Sequence, residues 1–165
     1  MATWKARRTL LLVGEGRDDA AFLRHVKGLY VPRGCGLSVT VKHAHGKGAK
    51  GVIDWTIRQI ANAAYDQVAA MLDTDQDWSP AVARLARSSQ IVVLGSDPCL
   101  EAVLLRMLGE KASGDSAALK RRVATILGND PTDPGSYGRL FDTARLRAGR
   151  QTEPAVDALL ELLGA

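Results

Sequence analysis

The chain alternates short apolar runs with stretches of helical spacing. Thr9 to Val13 is a continuous apolar run that ends at the glycines of Gly14-Glu15-Gly16, the pattern of a central strand buried on both faces. From Arg17 onward Phe22, Val26 and Leu29 recur along one side of a helix, and Asp18 and Asp19 in its first turn favour the positive end of the helix dipole. Pro32 and Gly34 end it. Leu37 to His43 sets Leu37, Val39 and Val41 against Ser38, Thr40 and Lys42, which describes a strand with one wet face, at or near a sheet edge. Helical spacing returns over Val52 to Ala64 through Ile53, Ile57 and Ile60. Val68 to Leu72 and Gln90 to Leu94 are further buried runs, separated by a short helix at Ala81 to Arg87.

Gly95-Ser96-Asp97-Pro98 breaks the fourth strand. Pro98 suits a first helical position with Asp97 as N-cap, and Leu100, Val103, Leu104, Met107 and Leu108 form the next apolar stripe, with Glu101 off it. Later helices are predicted over Ser116 to Leu127, Arg139 to Ala148 and Pro154 to Leu163, with the loop NDPTDPGSYG between the first two. Strands alternating with helices build a parallel sheet. The expected fold is therefore a single α/β domain over 1–165: a mostly parallel four-stranded sheet flanked by helices in a core of about 8–110, and a helical extension of about 111–165.

Composition narrows the class. The 165 residues are 46% hydrophobic and 5% aromatic, an ordinary globular balance with no stretch long enough to span a membrane. The basic opening ATWKARRTLLLVGEG suggests an export signal, yet its apolar run stops at Gly14 without a cleavage site, so it reads as a strand. Cys35 and Cys99 stand apart without ligand spacing, which fits a reduced, cytoplasmic protein. Charge is uneven: 1–65 carries eleven Lys/Arg against four Asp/Glu, whereas 66–104 carries two against six. A basic region beside an acidic one suits a site that grips a polyanion through a metal.

The acidic groups carry the candidate chemistry. Asp73, Asp75 and Asp77 follow the third strand, and their alternation would point all three one way if the strand continued. Glu15 follows the first strand, and Asp97 with Glu101 the fourth, so three acidic groups reach the carboxyl edge of the sheet, where such folds bind ligands. Like charges gathered there call for a hard divalent cation, Mg²⁺ first. Asp77 and Asp18 read instead as a turn residue and a helix-start charge. His43-x-His45 lacks a third ligand and reads as a polar strand end. The loop HGKGAKG is no Walker motif, but Lys47 and Lys50, with Lys42 and the run Lys120 to Arg122, can meet phosphates.

LLLVGEG with Glu15, followed by YDQVAAMLDTDQD with Asp73 and Asp75, resembles the TOPRIM domain shared by topoisomerases, primases and overcoming-lysogenization-defect nucleases. GSDPCLEAVLLRML resembles the S-N-P-x-F-E-x-W-L-L-x-H motif of RloB-like proteins found near bacterial restriction and defence genes, with Asp97 in place of the Asn and Leu100 in place of the aromatic. The ending RQTEPAVDALLELL is also similar to that family's. The resemblance implies a TOPRIM-like, Rossmannoid fold and a Mg²⁺- or Mn²⁺-dependent nuclease hydrolysing DNA or RNA in a defence setting. Glu15 would be the catalytic acid or base, Asp73 and Asp75 the metal ligands, and Glu101 would complete the acidic edge. The alternatives are a catalytically silent metal- or nucleic-acid-binding subunit of a defence complex and a nucleotide-binding regulatory module, for which no nucleotide motif is found.

Overall fold

The computed structural model describes residues 7–165; the first six residues of the basic opening lie outside that range. Four strands, β1 (Arg8–Gly14), β2 (Leu37–His43), β3 (Gln67–Asp73) and β4 (Ile91–Ser96), form one all-parallel sheet in the order β2-β1-β3-β4, a Rossmann-like arrangement. Each strand begins within one residue of its expected place, and β2 lies at an edge. β4 starts at Ile91 because Gln90 adopts a left-handed φ of 58° and turns the chain into the sheet.

The central strands are buried on both faces, as their unbroken apolar runs require. Leu10, Leu12, Met71 and Leu94 face α1 (Arg17–Tyr30), α4 (Leu100–Met107), α5 (Ser116–Leu127) and α7 (Pro154–Leu162). Leu11, Val13, Ala70 and Leu72 face α2 (Gly48–Asn62) and α3 (Pro80–Ser88). The C-terminal helices thus cover the α1 face instead of forming a separate unit. Glu153, almost fully buried at the start of α7, is held to α4 by Arg106, whose Nη2 lies 2.6 Å from Oε1. No helix of the described residues is long and apolar enough to cross a membrane.

Three boundaries differ from the expected ones. α4 begins at Leu100, not Pro98, because the carbonyl of Pro98 accepts from the N–H groups of Thr74 and Asp75 and keeps that segment in the β3 loop. The basic stretch expected as a flexible loop is largely helical: α2 starts at Gly48, four residues early, and Lys50 pairs along it with Asp54 at 2.7 Å. The helix expected from Arg139 starts only at Thr143, because a 3-10 turn (Pro134–Tyr137) precedes it and the buried Tyr137 and Phe141 draw the chain inward. Asp142 then caps α6 (Thr143–Gly149) by accepting from Arg145 N–H.

The close approach of α1 to β1 depends on Gly14. A Cβ there would lie 2.7 Å from the backbone nitrogen of Ala20 and 2.8 Å from Cβ of Asp19. Gly14→Ala is expected to cost about 1–3 kcal/mol through the displacement it forces. Gly28→Ala, in the last turn of α1 with open space around it, should instead stabilise by up to about 1 kcal/mol. Urea unfolding of both variants checks this; equal effects would contradict the close contact.

Candidate functional site

From β1 the chain crosses to β2 on one side while β3 lies on the other, so the adjoining carboxyl ends of β1 and β3 form the switch point of the sheet. Glu15 bridges them. Its N–H donates to the carbonyl of Met71 at 3.0 Å, and its Oε2 accepts from Asp73 N–H at 2.9 Å. Asp73 closes β3 and accepts through Oδ1 from Leu100 N–H at 3.1 Å, which ties the first turn of α4 to the same edge. The next residue, Glu101, is only 6% exposed. It was expected off the apolar stripe, but α4 is covered nearly all round by α5, α6 and the sheet, so that face is interior too.

Asp19 joins them from α1. It is 8% exposed; Oδ2 accepts from Gly16 N–H at 3.1 Å, whereas Oδ1 is sealed from solvent and has no hydrogen-bond partner among the described residues. Glu15, Asp19, Asp73 and Glu101 line one cavity of about 250 Å³, with exposed Arg17 and Lys120 on its rim. Larger hollows lie beside α5 and between β4 and α7, but neither gathers carboxylates in this way.

Crowding four acids in a half-closed space disfavours their ionised forms. Burial, then the charges of Glu15 and Glu101, pushes Asp73 up to about 7 against the Leu100 hydrogen bond. Burial and the nearby Asp73 raise Asp19 well above the usual carboxylate range. Asp18 is raised chiefly by burial and lowered by Lys120.

The other expected residues occupy different places. β3 ends at Asp73, so Asp75 and Asp77 do not continue its alternation. Asp75 is exposed, accepts from Ser116 Oγ at 3.1 Å, and does not line the cavity; it adds only a minor upward push on Asp73. Asp77 has a left-handed φ of 58°, as suits a turn. Lys42 donates to Gln59 Oε1 at 3.1 Å and Lys50 is paired, whereas Lys47 is exposed beside Gly46, whose backbone borders the cavity. Asp19 escaped the sequence reading, which assigned it to the helix dipole. The available signal was Gly16-x-x-Asp19, a carboxylate at the third helical position that can fold back on the N–H of the capping glycine.

Among the described residues no three His, Cys, Asp or Glu side chains are gathered closely enough to hold a metal ion. Each of Glu15, Asp19 and Asp73 turns one oxygen to a backbone N–H. The donor set nevertheless fits a hard divalent cation: the candidate donors are carboxylate oxygens, and Asp19 Oδ1 is buried without a hydrogen-bond partner among the described residues.

Comparison with protein-family models, curated proteins and solved structures finds no match. The geometry therefore stands on its own and has a direct consequence for stability. Between the ordinary 3.8 and about 7, folded protein binds more protons at Asp73 than unfolded protein does, so stability falls as pH rises through that window. Asp73→Asn can still accept the Leu100 hydrogen bond and removes the penalty. Without divalent ions it should exceed wild type by about 2 kcal/mol at pH values above 7, with the gap closing toward pH 4. Urea unfolding across pH measures this; parallel pH profiles would contradict the shift.

Proposed function

We propose that the protein is a divalent-cation-dependent phosphodiesterase acting on nucleic acid, a TOPRIM-like nuclease similar to RloB-like proteins, working in the cytoplasm in a bacterial defence setting. The observation that carries this reading is the convergence of Glu15 and Asp73, from the ends of two adjacent strands, with Glu101 from the first turn of α4 and Asp19 from α1 in one cavity at the switch point. Asp73, Glu101 and Asp19 would hold Mg²⁺ or Mn²⁺, with Asp75 at the margin. When bound, the cation supplies neutralisation of the carboxylates and polarisation of a phosphoryl oxygen.

The chain's own groups do the rest. Glu15 spans the two strand ends and is positioned to take a proton from an attacking water or give one to a leaving oxygen. Arg17 and Lys120 on the rim, and Lys47 beside it, meet the phosphates that the acidic floor alone would repel. Lys42 and Lys50 can add to that field only in part, since each already has a partner in the fold. The second reading, a silent binding subunit, is favoured by the absence of a ready-made ligand cluster among the described residues. Under either reading a protein partner from the same system is compatible with the exposed surfaces.

Single- and double-stranded DNA and RNA, each incubated with Mg²⁺ and with Mn²⁺, separate the two. The nuclease reading expects cation-dependent cleavage, a loss of about 100-fold or more in Glu15→Gln, and retained stabilisation by Mn²⁺ in that variant. Asp73→Asn with Asp75→Asn should lose both cleavage and most cation stabilisation. Undiminished cleavage by the double variant ends the nuclease proposal; cation stabilisation without cleavage of any substrate favours the silent subunit.

A further inference from the structure

Beside the carboxylate cavity lies a group of side chains that the proposed chemistry leaves unused: His43, His45 and Trp55. Aromatic residues make up only 5% of the chain, and Phe22, Tyr137 and Phe141 are spent ring against ring in the core. His45 is the opposite case. It is exposed, with its ring centroid 4.5 Å from that of His43 and 6.3 Å from that of Trp55, edge to face in both pairs. Its backbone has a left-handed φ of 62° and is pinned on both flanks: Ala44 N–H donates to Gly14 O at 2.9 Å and Gly46 N–H to Glu15 O at 2.7 Å. These bonds hold the backbone on both sides of His45, next to Gly46, which borders the cavity.

Cations are interleaved with these rings. Arg17 stands on the cavity rim, Arg24 donates to Val41 O at 3.3 Å, and Lys42 reaches Gln59, one turn beyond Trp55 on α2. Burial, then His45 and the charges of Arg17 and Arg24, lowers His43 below its ordinary value, so a neutral ring lies beside His45 near neutral pH. On the other flank the Asp77 carboxylate packs against Gly48, at the start of α2, and the following Trp78 is 36% exposed. An exposed ring with cations around it can stack a base while the backbone runs over positive charge. A paired base inside a duplex has both faces covered and cannot use it.

We infer that His45, backed by His43 and Trp55, is a stacking platform for an unpaired base of the strand whose phosphate enters the carboxylate cavity, so that the ligand is single-stranded nucleic acid. The phosphate's destination rests on the nuclease reading; the stacking does not.

The test is therefore a binding measurement, not a cleavage one. Fluorescence anisotropy in Ca²⁺, and again without divalent ions, would follow a labelled mixed-sequence DNA strand, the RNA of the same sequence, the DNA duplex, and a strand of the same length lacking bases. The platform predicts tighter binding of both single strands than of the duplex, and weak binding of the base-free strand. His45→Ala should weaken single-strand binding by about 5- to 150-fold and leave duplex binding unchanged. His45→Phe, which keeps a stacking face, should stay near wild type and exclude a folding defect. Base-dependent binding without hydrolysis in Mg²⁺ or Mn²⁺ would sink the nuclease reading and keep the platform. Equal affinity for duplex and single strand, equal affinity for the base-free strand, no effect of His45→Ala, or no binding at all would overturn it.

Discussion

The arrangement depends on burying like charges together. Asp19, Asp73 and Glu101 lie in or near the interior with Glu15 across the strand ends, and among the described residues no cationic side chain is hydrogen-bonded to any of these carboxylates. Backbone N–H groups from Gly16, Asp73 and Leu100 satisfy part of their oxygens, and each of those donors comes from the start of a helix or the end of a strand at this edge. Such a cluster costs stability unless it is protonated or holds a cation. The ordinary structural solution, a buried ion pair, is used elsewhere in the same molecule by Glu153 and Arg106. At the switch point the proposed cation would take the part that Arg106 plays for Glu153.

The scaffold supplies the precision. Gly14 lets α1 approach β1 closely enough for Asp19 to enter the cavity, and the hydrogen bond from Leu100 to Asp73 brings Glu101 over the same floor. The bonds of Ala44 to the last residue of β1 and of Gly46 to Glu15 hold the neighbouring loop and with it the backbone of His45. The acid floor and the loop that carries His45 are thus both fastened at the end of the central strand.

Much of this was legible in the chain. Unbroken apolar runs located the strands, because strands buried on both faces leave no room for polar alternation, and the wet alternation of Leu37 to His43 located an edge. Glu15 and Asp73 were legible because they follow such runs directly. Asp75 shares the side of Asp73 only if the strand continues, whereas β3 stops at Asp73 and the loop bonds to Pro98. Glu101 reads as lying off the apolar stripe of α4 because periodicity shows one stripe, while the covering of α4 by later helices is a long-range fact. Asp19 was hidden by an equally valid local role at a helix start. The helical state of 48–51 was hidden by glycines that usually signal a loop.

The central claim, that this cluster is built to exchange protons for a divalent cation, is tested most directly by calorimetric titration of Mn²⁺ near pH 7 in buffers of different ionisation enthalpy. Because Asp73 is about half protonated there, cation binding should release protons, so the observed heat should change with the buffer. Asp73→Asn should bind more weakly and lose most of that buffer dependence. No binding heat from wild-type protein at millimolar Mn²⁺, or binding whose heat is the same in every buffer, would contradict the account.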